Sequence, residues 1–195
     1  MAKALITLIE KQFPDSVLET HDQHGDETVL VKSEAWLDVA RFLRESPRAS
    51  MEMLVDLTAV DYPEREPRFE VVAHFHSLTR GHRLRLKSRV GNEEGESAEI
   101  ASLSDIWGSA NWLERECFDM FGVRFVGHPD LRRILLYPEF DGHPLRKDYP
   151  AERAQPLVPY RDVPNIEKLA PFGRDEGMSF GRKTHIRWND EEVPS

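Results

Sequence analysis

The stretch that most constrains how this chain can fold runs from Asn111 to Pro150 and reads NWLERECFDMFGVRFVGHPDLRRILLYPEFDGHPLRKDYP. It opens with a helical pattern, passes through a short apolar run and makes two Gly-His-Pro turns, each followed by Leu, Arg and a second basic residue. Proline fixes its own φ and biases the preceding residue to extended geometry, so His128 before Pro129 is held out of any helix. Leu145-Arg146-Lys147 repeats the chemistry of Leu131-Arg132-Arg133. One short similarity of this kind does not define a repeat architecture.

The helix has legible ends. Ser109 and Asn111 are candidate N-caps, because a side-chain oxygen there can accept an unpaired N–H of the first turn. Glu114 and Glu116 fall near the positive end of the helix dipole, and Gly122 stands just past the last helical residue, where a left-handed conformation favours glycine. At 3.6 residues per turn, Leu113, Cys117, Met120 and Phe121 share one face. Arg115, Glu116 and Asp119 fall on another, beside Trp112, and Phe118 is apolar on a third side. The spacing predicts an i,i+4 pair between Arg115 and Asp119. Such a pair on an exposed face has small energetic worth. The apolar flanks favour the alternative, burial of the pair against another polypeptide. Beyond the helix, Val123 to Val126 reads as a short strand and Gly127 to Asp130 as a turn. The apolar run Ile134 to Tyr137 is closed by Pro138, and Asp141 to Pro144 forms the second turn.

Glu114-Arg115-Glu116, Asp119-Met120-Phe121, His128, Arg132 and Ile134-Leu135, at these spacings, resemble the signature of the C subunit, or thirty-kilodalton subunit, of proton-pumping NADH:quinone oxidoreductase, respiratory complex I. Gly142 to Pro150, GHPLRKDYP, is similar to the segment that follows it in that family. The chain length suits an unfused bacterial form. The position of Cys117 usually holds a small or aliphatic residue in the family, and no function attaches to it. The resemblance implies a noncatalytic structural subunit of the peripheral arm, on the cytoplasmic side of the inner membrane. Its main neighbour would be the D subunit of complex I, which helps form the quinone site, with the B and I subunits nearby. FMN and the iron-sulfur clusters would belong to partner subunits, with none in this chain. The positions expected at the subunit interface are Trp112, Glu114, Arg115, Glu116, Asp119, Phe121, Gly122, His128, Pro129, Asp130, Arg132, Arg133, Gly142, His143, Pro144, Arg146 and Lys147. Equivalent subunits serve membrane-bound hydrogenases and other quinone-linked dehydrogenases, which is the alternative within the same class.

The single cysteine supports the cofactor expectation from the residues alone. A cluster needs about four thiolates and a structural zinc several Cys or His at close spacing, so Cys117 can hold neither a cluster nor an internal disulfide. No GxGxxG opens a helix after a strand and no GxxxxGK[ST] occurs, so there is no dinucleotide or phosphate cradle. The net charge of −9 over 195 residues argues against general nucleic-acid binding. From Gly122 to Pro150, however, five basic residues stand against four acidic, and such arginines could meet an acidic partner surface. The apolar run Ala4 to Ile9 is far short of the ~20 residues of a spanning helix, nor does it make a secretory core. A cytoplasmic protein that meets the membrane only through partners is therefore expected.

The first hundred residues alternate between two periods. Residues 2 to 13 fit an amphipathic helix with Leu5, Leu8, Ile9 and Phe13 on one stripe. Val17 to Thr20 and Thr28 to Val31 read as strands joined by a polar turn. Ser33 is the expected cap of a second helix, with Trp36, Val39, Ala40 and Leu43 at i, i+3, i+4 and i+7. Met51 to Val60 reads as a strand. Arg68 to Ser77 and His82 to Val90 alternate strongly about Thr79-Arg80-Gly81 and predict a hairpin. Gly91 to Ser97 is an acidic loop. The order helix, two strands, helix, three strands suits a two-layer α+β domain with helices on one side of a mixed sheet.

Two histidine sets admit other chemistry. His74 and His76 share a strand face with His82 opposite, a possible zinc site; no carboxylate or Cys stands at matched spacing, and polar residues on an exposed sheet face are the simpler reading. His128, Asp130, Asp141 and His143 could be drawn as the acid-base set of a freestanding metal-dependent hydrolase. Beside prolines, such residues ordinarily bond local backbone. After Pro150 the composition shifts: Pro156, Pro159, Pro164 and Pro171 interrupt every helical pattern. Leu157, Val158, Tyr160, Ile166, Leu169, Phe172, Phe180, Ile186 and Trp188 give the tail anchors for a partner. The expected organisation is an α+β domain over 1–125 with its signature helix at 109–121, a turn-rich segment over 126–150 and an extended partner-binding tail over 151–195.

Overall fold

A computed structural model of the chain describes residues 4–92 and 98–156. The tail anchors from Leu157 onward and most of the acidic loop lie outside the described residues. Ala4–Gln12 forms α1, Val17–His21 β1, Thr28–Val31 β2 and Trp36–Glu45 α2. Met53–Asp61, Phe69–His76 and Arg83–Val90 form β3, β4 and β5. Glu99–Ala101 is β6, Ala110–Phe121 α3 and Arg124–Val126 β7.

The mixed sheet expected from the sequence is present, five strands in the order β1-β2-β5-β4-β3. Only the β2–β5 pair is parallel. β5 sits centrally, paired with β2 and β4, and its alternation shows which face is covered. Leu84, Leu86, Ser88 and Val90 are buried on one face, while Arg83, Arg85, Lys87 and Arg89 stand on the other. β4 does the same with Phe69, Val71, Ala73 and Phe75. Residues i and i+2 share a face of a strand. All three helices cover the apolar side: Leu5 and Ile9 of α1, Trp36, Val39, Ala40 and Leu43 of α2, and Cys117 and Met120 of α3 join one core with these strands. These four positions of α2 are completely excluded from solvent. Burying each aliphatic side chain contributes roughly 1.5–3 kcal/mol, so this layer is held by apolar area.

Two local expectations are corrected, and one strand is new. Ser33 does not cap α2; a single 3-10 turn over Ser33–Ala35 precedes it, and no side-chain cap bond forms. Ser109 occupies the N-cap of α3 but donates to the Leu54 carbonyl at 3.1 Å, tying the helix start to β3. β6, a three-residue strand too short to show alternation, pairs in parallel with β7 in a small second sheet. Gly122 closes α3 at φ 79°, as its position implied.

Candidate functional site

The segment after β7 wraps along α3, and one carboxylate organises it. Asp119, fully buried, accepts the backbone N–H groups of Ile134, Leu135 and Leu136 on Oδ2 at 3.1, 2.9 and 2.9 Å. Its Oδ1 takes the Arg133 guanidinium at 2.7 Å. Burial works to raise the Asp119 pKa, but the three N–H groups and Arg133 overcome it and hold the carboxyl below its ordinary range. Arg133 also donates to the carbonyls of Phe140 and Gly142, at 3.0 and 2.9 Å. The apolar run Ile134 to Tyr137 thus bends about a carboxylate.

Arg115 does not pair with Asp119. It donates to the carbonyls of Arg132 and Arg133, both at 3.0 Å, one turn earlier on the helix. The two side chains expected to meet each other instead hold successive residues of the same segment. Arg115 also lies 5.4 Å from the ring centre of Trp112, a cation–π distance. Glu114 departs further from the sequence reading: it is fully buried, accepting Leu103 N–H and Ser102 O–H, both at 2.6 Å. Without a cation beside it, burial pushes its pKa up to about 7, against the pull of those two bonds.

The second Gly-His-Pro turn closes on the end of α3. His143 Nδ1 lies 3.0 Å from the Asp119 carbonyl, and Arg146 Nε donates to Phe121 O at 2.6 Å. Both crowd Gly122, where a Cβ would stand 2.6 Å from His143 Nε2 and closer still to Arg146. Glycine is therefore required there twice, by its positive φ and by this approach. Burial pushes the His143 pKa down, favouring the neutral ring. A second clamp was missed in the sequence. Buried Arg68 binds Asp61 at 2.7 and 2.9 Å and Asp148 at 2.9 and 3.1 Å, while Asp61 also accepts Lys147 N–H at 2.8 Å. It ties the wrap to the adjoining ends of β3 and β4. An Asp closing an apolar strand and an Arg opening the next were its only signal.

The structure separates the hydrolase set. His128 Nε2 lies 3.0 Å from Asn111 O at the start of α3, and its Nδ1 accepts Asp130 N–H at 3.0 Å. His143 sits at the other end of that helix, about 12 Å away at 1.5 Å per residue. Asp141 pairs with Arg153. For the zinc alternative, His82 turns to the Ala49 carbonyl at 2.7 Å. Among the described residues no group of three His, Cys, Asp or Glu could hold a metal. Cys117 is buried, and desolvation pushes its thiol pKa up, away from the reactive thiolate. Of the expected interface positions, Trp112, Glu116, Pro129, Asp130, Arg132 and Lys147 are exposed, whereas Glu114, Asp119 and Phe121 are buried.

Residues 29–155 match the family model described as the respiratory-chain NADH dehydrogenase 30 Kd subunit, and the chain belongs to that family. It is 47% identical over 172 residues to the C subunit of the NADH-quinone oxidoreductase of Rhodobacter capsulatus, covering 84% of each chain. The corresponding C subunit of Geobacter sulfurreducens is 46% identical over 151 residues, covering 77% of this chain and 90% of its own. A trypsin-resistant fragment of Nqo5 superposes with a TM-score of 0.56 at 29% identity, over 65% of this chain and 98% of the fragment. A chain of a membrane-bound sulfane sulfur reductase, an archaeal respiratory membrane complex, superposes at 0.63 and 27% identity, over 76% of this chain and 85% of its own.

Proposed function

We propose that the chain is a noncatalytic structural subunit of the peripheral arm of a proton-translocating NADH:quinone oxidoreductase, holding the quinone-site and cluster-bearing subunits in register. One observation carries this reading: Arg115, Asp119, Arg133 and His143 each commit polar atoms to the chain's own backbone or to one another. None is left converging on a position where a reacting atom could sit, as a catalytic constellation requires. What the clamp does is present a fixed surface. The D subunit is the principal partner in this reading, with the B and I subunits nearby, and FMN and the iron-sulfur clusters reside in partners. No helix among the described residues is long and apolar enough to cross a membrane. Attachment to the cytoplasmic face of the inner membrane is accordingly assigned to the complex.

The test is to purify the tagged chain from gently solubilised native membranes and assay the eluate. Co-purification of cluster-bearing subunits with NADH:quinone activity is expected. Asp119→Ala should reduce assembled complex while leaving the quinone affinity of the surviving complex unchanged; normal assembly with altered affinity would contradict the proposal. Likeness to the sulfane sulfur reductase chain favours one other reading, a sister complex with a different donor. That reading expects a redox assembly without NADH oxidation.

A further inference from the structure

The inner face of α3 holds a second buried carboxyl, and its surroundings are the reverse of those at Asp119. Glu114 is completely excluded from solvent, and its two oxygens meet Leu103 N–H and the Ser102 hydroxyl, each at 2.6 Å. Among the described residues no cation pairs with it. Asp105, the charge that acts on it from connection 102–109, is an anion. On α3 itself Arg115 is bound to the carbonyls of Arg132 and Arg133, and burial keeps the Cys117 thiol neutral. Glu116 and, on β3, Asp56 act on that thiol and are anions too. Arg124 of the small sheet pairs in solvent with Glu99 at 3.4 Å, and Arg44 of α2 donates to the carbonyls of Met51 and Glu52. A carboxyl buried without a cation keeps its proton in preference to its charge.

The hydroxyls beyond it form a chain that runs towards the surface. Ser102 Oγ lies 2.8 Å from Ser104 Oγ and accepts Ser104 N–H at 3.1 Å. Ser104 is half-buried and is followed by exposed Asp105. A hydroxyl has one hydrogen and two lone pairs, and its hydrogen rotates to suit. Two arrangements therefore fill every position at Ser102. With Glu114 protonated, its O–H donates to Ser102 Oγ, and Ser102 O–H donates to Ser104 Oγ. With Glu114 ionised, Ser104 O–H donates to Ser102 Oγ, and Ser102 O–H donates to the carboxylate. Leu103 N–H is held by the other oxygen in both. We infer that Glu114, Ser102 and Ser104 form a reversible binding site for one proton, with the two hydroxyls as its relay to solvent. On release the Glu114 proton moves to Ser102 Oγ, the Ser102 hydrogen to Ser104 Oγ and the Ser104 hydrogen to water. One proton leaves, and no buried group loses its partner. The site lies within this one chain and does not depend on the subunit reading.

Difference infrared spectroscopy of the full chain, reading the carbonyl stretch of protonated carboxyls across a pH series, tests the site. One carboxyl should keep its proton where ordinary ones, near 4.5, have ionised, and lose it as pH rises through about 7. Glu114→Gln should remove that band. The two serines act in opposite directions. Ser102→Ala takes a donor from the ionised form, so the proton should be held about tenfold more tightly, a midpoint about one pH unit higher. Ser104→Ala takes the acceptor that Ser102 O–H needs in the protonated form, so the midpoint should fall. Both serine variants keep Glu114, so the test stands even where Glu114→Gln does not fold. No carboxyl protonated above the ordinary range, or a band that persists in Glu114→Gln, would overturn the site. An unchanged midpoint in Ser104→Ala, or shifts of the same sign in both serine variants, would overturn the relay.

Discussion

The sheet layer and the wrap around α3 are two solutions to the same problem of holding a chain in place. In the sheet layer Val29, Leu86, Phe75 and the α2 stripe exclude water, and the regular backbone ladder sets the register of the strands. In the wrap Leu135, Tyr137 and Leu145 face solvent, and the backbone is fixed from within by Asp119, Arg133, Arg68 and Arg146. Apolar burial is non-directional and tolerates volume-conserving exchange. A buried carboxylate with four donors is directional, and losing either partner leaves the other uncompensated. A region built in the second way can display apolar side chains outward, because it does not consume them for its own folding.

The largest contrast should come from Asp119→Ala. Removing the carboxylate strands Arg133 and three N–H groups, at about 3–5 kcal/mol. Leu43→Ala in α2 should cost a similar ~2–5 kcal/mol by opening a cavity. Limited proteolysis separates the two: the first variant should be cut near 131–148 while the sheet survives, and the second should expose the sheet.

Next is Glu114, whose pH dependence runs opposite to that of Asp119. With its folded pKa raised from 4.5 to about 7, Glu114 holds a proton that the unfolded chain releases, so stability falls as pH rises through that window. The expected drop is on the order of 2–3 kcal/mol. Glu114→Gln should flatten denaturant stability between those pH values. The depressed Asp119 contributes stability that is present above the ordinary carboxylate pKa and lost as pH falls through its folded value. Acid should accordingly loosen the wrap before the sheet.

Gly122→Ala should cost about 1–2 kcal/mol from the left-handed φ alone, and more if His143 and Arg146 cannot withdraw, read as a lower melting temperature. The smallest effect belongs to Leu78→Ala, within about 0.5 kcal/mol. A larger loss there would mean that exposure is a poor guide to which leucines the fold uses.

This contrast also governs what the sequence discloses. The strands and α2 were legible because alternation and the 3.6-residue stripe report burial directly, as at Leu84-Leu86 and Trp36-Val39-Leu43. The left-handed Gly122 was legible because glycine past a helical stripe has few other uses. β6 was not, since three residues carry no period. Nor were the clamps. Arg115 and Asp119 at i,i+4 have the spacing of a surface pair, and nothing local reveals that each bonds backbone seventeen residues away. Glu114 at the head of a helix looks like a dipole ornament until Ser102 and Leu103 are seen against it. The wrap disclosed its family by its fixed residues while concealing what those residues hold.

Hydrogen exchange on Asp119→Asn and wild-type chains tests the central claim most directly, because it reads both regions in one measurement. The expected result is loss of protection at Ile134, Leu135 and Leu136 with unchanged protection along β4 and β5. Equal loss across the sheet, or retained protection at those three amides, would contradict a wrap held by one carboxylate.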